Sequence, residues 1–198
     1  MDLRQVLGRL QEFDLLLDTD PKFPNVTALI AGDEVRGSWW THPKAREMYR
    51  LGNQLRDHPD VLSIKLVSGK ITFVHRPVWM AVYAIGTVRE PWQLRGLSKN
   101  ARALLRQVDK EGKLLSSGDA LRELEARLLV HAQSVHTERG FHRKQVLTWT
   151  AWAEAVQLGA VTLTPLEGKA QLESVVARLN GQFGASGTLP WQAGTKRR

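Results

Sequence analysis

Apolar residues at helical spacing predict two helices in the first third of the chain. The first runs from Leu3 to Leu17, where apolar positions recur every few residues until Asp-Pro and Phe-Pro interrupt the pattern. The second begins near Thr41 and Pro43 and ends at His58–Pro59, because proline is favoured in the first turn of a helix and ends one elsewhere. Its apolar stripe consists of Met48, Leu51 and Leu55.

A two-stranded hairpin follows, since the apolar period changes to two after residue 61. Ser68-Gly69 is a two-residue turn signal, and the strand returns over residues 70–75. This turn pairs Leu66 with Ile71 and places the apolar side chains on one face. The other face is then polar and positively charged, and it carries Lys65, Lys70 and Thr72.

The second half of the chain repeats this order of elements. Helical stripes are expected over residues 97–108 and 121–128, and two strands joined by a loop at residues 137–140 follow them. The remaining elements are a helix that begins at Trp149, a short β-type run at residues 161–164 and a helix over residues 165–180. Two copies of one element order predict an α+β fold that combines helices with two-stranded antiparallel hairpins.

Helix, helix and two-stranded hairpin is the element order of a winged helix-turn-helix. The segment LSKNARALLRQVDKEGKLLSSGDALRELEARLL and the hairpin around TERG resemble the winged-helix core of bacterial regulators of the MarR group. The resemblance covers residues 97–147. Together with the repeated element order it predicts tandem winged-helix-like units, an N-terminal unit at 1–95 and a C-terminal unit at 96–182, and the composition of residues 183–198 predicts a flexible basic tail. The words GSWW-x-HP and VHTE-x-G-x-H are the most distinctive in the chain, and they indicate a bacterial family marked by them.

Basic residues outnumber acidic ones by 28 to 20, which gives a net charge of +8 and a pI near 10.1. The excess is uneven, since residues 1–20 contain two bases and five acids, whereas the rest of the chain contains 26 bases and 15 acids. A basic surface of this size is typical of proteins that bind a polyanion such as nucleic acid. We therefore predict double-stranded DNA as the partner.

The residues that can contact DNA are concentrated in the first unit. A winged helix places its second helix in the major groove and its hairpin on the backbone or minor groove, where Lys and Arg bind phosphates and Arg, Asn or Gln read bases. The candidate nucleic-acid-binding residues are Arg46, Arg50 and Asn53 in the helix, Lys65 and Lys70 in the first hairpin, and Arg139, Arg143 and Lys144 in the second. The second unit's helix is the weaker candidate, because Arg122 and Arg127 are matched by Glu123 and Glu125.

A DNA-modifying enzyme of glycosylase type is the alternative, because AlkZ-like DNA glycosylases also carry tandem winged helices. In this interpretation Trp39 or Trp40 stacks on a displaced base, while Asp33 or Glu34 assists attack on the sugar. The chain has no convincing counterpart of that family's glutamine-containing catalytic motif, and packing of the two tryptophans in the core or between the two units is the simpler prediction. A second alternative is a winged-helix protein-interaction module that meets an acidic partner.

Composition and motifs exclude several other classes. The absence of cysteine excludes disulfide scaffolds, thiol nucleophiles and Cys-ligated zinc. His142 is expected to pair with Val135, which places the imidazoles of His136 and His142 on opposite faces of the hairpin, where they cannot share a metal ion. We therefore predict no metal site, and no sequence motif indicates a cofactor. The apolar runs fall short of roughly 18 residues, and the acidic N-terminus is unlike a signal peptide. We expect a cytoplasmic protein with no membrane partner, and the sequence leaves its oligomeric state open.

Overall fold

Short helices and two antiparallel three-stranded sheets make up the computed structural model, which describes residues 1–135, 143–160 and 162–192. This content confirms the predicted α+β class. The chain divides into two units: Met1–Trp79 with the segment from Ala170 onward is unit 1, and Met80–Lys169 is unit 2. Across the described ranges, no helix combines the length and the hydropathy that crossing a bilayer requires.

Unit 1 carries a sheet in which the strand nearest the N-terminus pairs with the strand furthest from it. In chain order its elements are α1 (Leu3–Phe13), β1 (Leu15–Leu17), α2 (Val26–Ala31), α3 (Ala45–Arg56), β2 (Val61–Lys65) and β3 (Ile71–His75). Both β1 and β2 pair with β3 in the antiparallel sense, so the strand order is β1-β3-β2. The part of α9 (Pro165–Phe183) from Ala170 onward also belongs to this unit, and its Arg178 donates to Asp14 Oδ2 at 2.9 Å.

A left-handed residue ends α1 before the apolar spacing predicts. Asp14 adopts φ 66°, and its backbone N–H donates to the carbonyl oxygen of Leu10 at 2.8 Å, which closes the helix. Leu15–Leu17 then form β1 instead of a helical turn, and all three side chains are fully buried. The predicted helix through Leu17 is therefore wrong, because a short strand buried on both faces has no alternation that would distinguish it from a helical stripe.

The turn of the first hairpin lies where the sequence predicts it, but the register differs by one residue. Ser68 and Gly69 take positive φ values of 53° and 70°, as a type I′ turn requires. Leu66 is in the helical region at φ −117° and ψ −68°, and its N–H donates to the carbonyl oxygen of Lys70 at 3.3 Å. Leu66 and Val67 thus form a bulge opposite Lys70, which shifts the pairing of the strands.

This shift exchanges the predicted faces of the hairpin. Lys65 pairs with Ile71 and shares a face with that residue, whereas Thr72 pairs with Ile64 on the opposite face and is fully buried. The predicted polar face that joins Lys65, Lys70 and Thr72 is therefore wrong.

Unit 2 has a sheet with the corresponding strand order but only one helix between its first two strands. In chain order its elements are α4 (Trp79–Val88, from its second residue), α5 (Pro91–Leu94), α6 (Lys99–Glu111), β4 (Lys113–Ser116), α7 (Asp119–Ala126), β5 (His131–Val135), β6 (Arg143–Leu147), α8 (Trp149–Ala155) and the start of α9. Strand β6 lies between β4 and β5. The helical stripes predicted over 97–108 and 121–128 are confirmed as α6 and α7, whereas residues 162–164 form no strand.

The second hairpin also differs from its predicted register by one residue. Val135 pairs with Arg143 rather than with His142, and Ser134 pairs with Lys144. Arg143 and Lys144 therefore lie on opposite faces of the sheet. Residues 136–142, which include Arg139, lie outside the described residues.

Part of the segment predicted as a tail packs against unit 1. The side chain of Asn180 donates to the carbonyl oxygen of Gly187 at 2.9 Å and accepts from its N–H at 2.7 Å. The carbonyl oxygen of Thr188 accepts from the N–H of Ser68 at 2.7 Å, and Leu189 is buried. Hydrogen bonds to its backbone thus hold this glycine-rich segment in place, although its composition predicts an exposed tail. Residues 193–198 lie outside the described ranges.

His131, the first residue of β5, is buried against two tryptophans of α8. The ring centroids of Trp149 and Trp152 lie 6.1 and 5.8 Å from the imidazole centroid, and only 5% of His131 is exposed. Its Nδ1 has no hydrogen-bond partner among the described residues. Burial therefore lowers the pKa of His131 to about 4, and the positive charge of Lys144 acts in the same direction.

Protonation of His131 is expected to destabilise unit 2 in mild acid. Its pKa of about 4 in the folded state lies below the ordinary value of 6.5, so the unfolded state binds more protons. The associated stability is complete above pH 6.5 and is lost as the pH falls towards 4, by roughly 2–3 kcal/mol at about pH 4.5. Urea unfolding at about pH 7.5 and 4.5 should show a smaller loss for His131→Phe than for the wild type. Equal losses would contradict a neutral buried histidine.

Gly86 in α4 allows the indole of Trp149 to pass close to the helix backbone. A Cβ at this position would lie 2.4 Å from Trp149 Nε1, and this buried indole donates to the carbonyl oxygen of Leu128 at 2.7 Å. We expect Gly86→Ala to lower the free energy of unfolding by about 1–3 kcal/mol.

Gly8→Ala in α1 is the matched control, because a Cβ there meets no described atom within 4 Å. Alanine has a higher helix propensity than glycine, so the free energy of unfolding of this variant should exceed that of the wild type by about 0.5–1 kcal/mol. Denaturant unfolding of both variants measures the two effects. A Gly86→Ala protein as stable as Gly8→Ala would show that the close indole contact has no energetic consequence.

Candidate nucleic-acid interface

One face of α3 presents polar and basic side chains to solvent. Its opposite face is buried through Met48, Leu51 and Leu55, and this stripe determines how the helix is rotated. The exposed face carries Arg46, Tyr49, Arg50 and Asn53, which are spaced at i, i+3, i+4 and i+7. The structure thus brings together the three helix residues that the sequence predicts and adds a tyrosine between the two arginines.

The two arginines of this face have no acidic partner in the described part of the chain. Arg50 donates to the neutral Gln54 Oε1 at 3.2 Å, and no ion pair involves Arg46. Asn53 accepts from Arg56 at 3.0 Å through Oδ1 and is half-buried. Two exposed guanidinium groups are therefore available to an external anion.

The two lysines of the first hairpin are less available to bind DNA than the sequence predicts. The Lys70 amino group lies 2.6 Å from Asp20 Oδ2. Burial alone would raise the pKa of Asp20, but hydrogen bonds from Lys70 and from the N–H groups of Lys22 and Phe23 hold that pKa below its ordinary value. Lys70 is thus neutralised within unit 1, and Lys65 is half-buried on the face it shares with Ile71.

Three of the basic residues weighed as DNA contacts in unit 2 are matched by carboxylates. Lys144 lies 2.5 Å from Oε1 of Glu125, and Arg122 and Arg127 of the α7 region pair with Asp119 and Glu123. Arg143 is exposed at the start of β6. Arg139 lies outside the described residues. Among the described candidates, the least compensated positive charge therefore lies on α3.

Two exposed aromatic rings adjoin the basic face of α3. Trp39 and Trp40 stack with their ring centroids 4.0 Å apart and their planes inclined by 22°. The ring of Trp40 lies 5.8 Å from that of Tyr49, and the exposed fractions of these two residues are 63% and 50%. Core packing, the simpler sequence prediction for the tryptophan pair, is therefore wrong for Trp40. We call Trp39, Trp40 and Tyr49 the aromatic cluster.

Local hydrogen bonds hold the aromatic cluster in front of α3. Trp39–Thr41 form a 3-10 turn, in which the Thr41 hydroxyl donates to the carbonyl oxygen of Ser38 at 2.9 Å. His42 Nδ1 accepts from the N–H of Lys44 at 3.1 Å. The Lys44 amino group in turn donates to two carbonyl oxygens in the last turn of α2. The loop between α2 and α3 is thus anchored at its end.

Among the described residues, the two carboxylates of the glycosylase-like alternative line a groove that excludes its two tryptophans. Asp33 and Glu34 line an open groove of about 500 Å³, together with apolar residues that include Phe23 and Phe183. Neither tryptophan of the aromatic cluster lines this groove. The carboxylates and the stacking rings that such a mechanism would combine therefore do not line this groove together.

The described residues provide no cluster of three or more His, Asp or Glu side chains that could hold a metal ion. The histidines weighed as ligands, His136 and His142, lie outside those ranges. His131, which is described, is buried against two indole rings.

Comparison with known proteins adds no relative to this geometry. No protein-family model, curated protein or solved structure matches the chain. The charge on α3 and the exposure of the aromatic cluster are thus the features from which a function is inferred.

Lys44→Met is expected to loosen the loop that carries the aromatic cluster. The Lys44 amino group donates to the carbonyl oxygens of Ile30 and Ala31 at 2.8 and 3.0 Å, where the helix dipole favours a cation. Loss of both bonds should lower the free energy of unfolding by about 1 kcal/mol and speed amide exchange in Trp39–Thr41. Lys44→Arg, which keeps the charge, should preserve both properties. Unchanged exchange in Lys44→Met would show that the loop is held by other contacts.

Proposed function

We propose that unit 1 binds double-stranded DNA through the exposed face of α3 and catalyses no reaction on it. The observation that carries the proposal is the pair of exposed guanidinium groups, Arg46 and Arg50, which have no acidic partner in the described chain. Elsewhere, Lys70 and Lys144 are held by carboxylates. Positive charge left uncompensated on a regular helix is suited to a partner that supplies regularly spaced phosphates.

The element order of unit 1 supports this assignment. Helix, strand, helix, helix, strand and strand, with the strand order β1-β3-β2, is the arrangement of a winged helix. In winged helices the helix that precedes the hairpin enters the major groove, and in unit 1 that helix is α3. Unit 2 has the corresponding strand order with only α7 between β4 and β5, so we propose a reduced winged-helix-like unit there. Unit 1 is accordingly the one that reads the duplex.

The side chains on α3 match the two kinds of contact that DNA offers. Arg46 and Arg50 can bind phosphates or the O6 and N7 atoms of guanine, and Asn53 can pair with adenine. An α-helix with its side chains is about 10–12 Å across and fits the major groove of B-DNA. The net charge of +8 favours association with the phosphate backbone before any base is read.

Replacement of the two arginines tests the proposal. Arg46→Ala and Arg50→Ala should each weaken binding of a labelled duplex about tenfold, measured by fluorescence anisotropy between about 50 and 200 mM salt. Where an arginine contacts a phosphate, the slope of log affinity against log salt should also decrease by about one. Arg106→Ala is the control, because Arg106 is an exposed arginine of α6 in unit 2 and its loss changes the net charge equally.

Two outcomes would overturn the proposal. The absence of duplex binding at low salt would remove DNA as the partner. Equal losses in Arg46→Ala, Arg50→Ala and Arg106→Ala would show that binding follows net charge and not the face of α3.

A further inference from the structure

The aromatic cluster exposes apolar surface that unit 1 could have buried. Trp40 is 63% exposed although tryptophan is among the side chains that gain most from burial. Its ring is supported from behind by Trp39, whose plane is inclined by only 22° at a centroid distance of 4.0 Å. The result is a plate of aromatic surface that is held in place before any ligand arrives.

This plate is continuous with the basic face of α3. Tyr49 contacts Trp40 at a centroid distance of 5.8 Å and lies on that face. Side chains three and four residues apart on a helix are neighbours, so Arg46 adjoins both Tyr49 and Arg50. A ligand that stacks on Trp40 therefore lies near Tyr49 and near the basic side chains of α3 that adjoin this tyrosine.

The charge around the cluster selects among the ligands that aromatic surfaces bind. Two acidic residues nearby in sequence are paired: Glu47 accepts from the N-terminal amino group at 3.2 Å, and Glu34 pairs with Arg36 at 3.4 Å. A cationic ligand such as methyl-lysine would be repelled by Arg46 and Arg50. Aromatic rings beside unpaired basic groups are instead the combination that binds single-stranded nucleic acid, because bases stack on the rings and phosphates meet the cations.

We propose that Trp40 stacks on an unpaired nucleobase, so that unit 1 favours DNA in which a duplex adjoins a single-stranded segment. The proposal rests on the proposed binding of duplex DNA by α3, which places the double-stranded part. Trp39 supports the stacked ring, and Tyr49 joins the stacking surface to the arginines. The preferred substrate class is thus an overhang, fork or gap rather than an uninterrupted duplex.

Three labelled DNAs test this preference: a blunt duplex, the same duplex with a single-stranded extension on one strand, and that longer strand alone. The wild type should bind the extended duplex about tenfold more tightly than the blunt one, the effect expected for one stacked base. Trp40→Ala should abolish that ratio while leaving the affinity for blunt duplex nearly unchanged. Trp40→Phe, which keeps an aromatic face, should retain most of the preference.

Leu166→Ala is the matched control, because Leu166 is 77% exposed on the part of α9 that belongs to unit 2. It should leave all three affinities unchanged. Circular dichroism of Trp40→Ala and Trp40→Phe verifies that both variants are folded.

The outcomes separate this inference from the proposed function. If the wild type binds blunt and extended duplexes equally while Arg46→Ala weakens both, the stacking role is wrong and duplex binding stands. If no DNA binds, the proposed function itself fails. Binding of a proline-rich peptide that depends on Trp40 and excludes DNA would assign the cluster to protein recognition and overturn the stacking role.

Discussion

Asp18 is the residue on which the architecture of unit 1 depends. Its backbone N–H donates to the carbonyl oxygen of Ile71 in β3 at 2.9 Å, and its own carbonyl oxygen accepts from Thr27 in α2 at 3.2 Å. Its carboxylate accepts from Arg56 at the end of α3 at 3.0 Å. Burial raises the pKa of Asp18, and the positive charge of Arg56 opposes that rise. One residue after β1 thus connects the sheet, α2 and α3.

The orientation of α3 follows from this connection and from its own apolar stripe. Arg56 is held by Asp18 and lies over the ring of Phe73 at 5.7 Å, while Leu51 and Leu55 are fully buried. At the other end, Lys44 attaches the preceding loop to α2. The exposed face is therefore fixed without a ligand, and a partner would not bear the conformational entropy of ordering it. Preorganisation of this kind is what a helix that docks in a groove requires.

Much of α3 could be predicted from sequence, and the rest of unit 1 only in part. Proline-containing boundaries and a regular stripe define a helix by local rules, and these rules place Arg46, Arg50 and Asn53 on one face. Such rules do not predict β1, because its three leucines continue the helical spacing of α1. The helix ends where Asp14 adopts a left-handed conformation, which favours glycine. Local rules also do not predict the register of the first hairpin, since no residue type in the sequence marks the bulge at Leu66.

The exposure of Trp40, which the sequence does not predict, is a feature that the stability of the fold alone does not explain. A residue type predicts burial on average, so an exposed tryptophan in an irregular loop, where no period applies, is assigned to the core by default. Trp40 is exposed, and Arg46 and Arg50 have no acidic partner in the described part of the chain, whereas the candidate bases Lys70 and Lys144 have carboxylate partners. Departures from local rules in natural proteins are concentrated at functional sites. Because the departures here adjoin one another through Tyr49, one external partner with aromatic faces and negative charge accounts for them together.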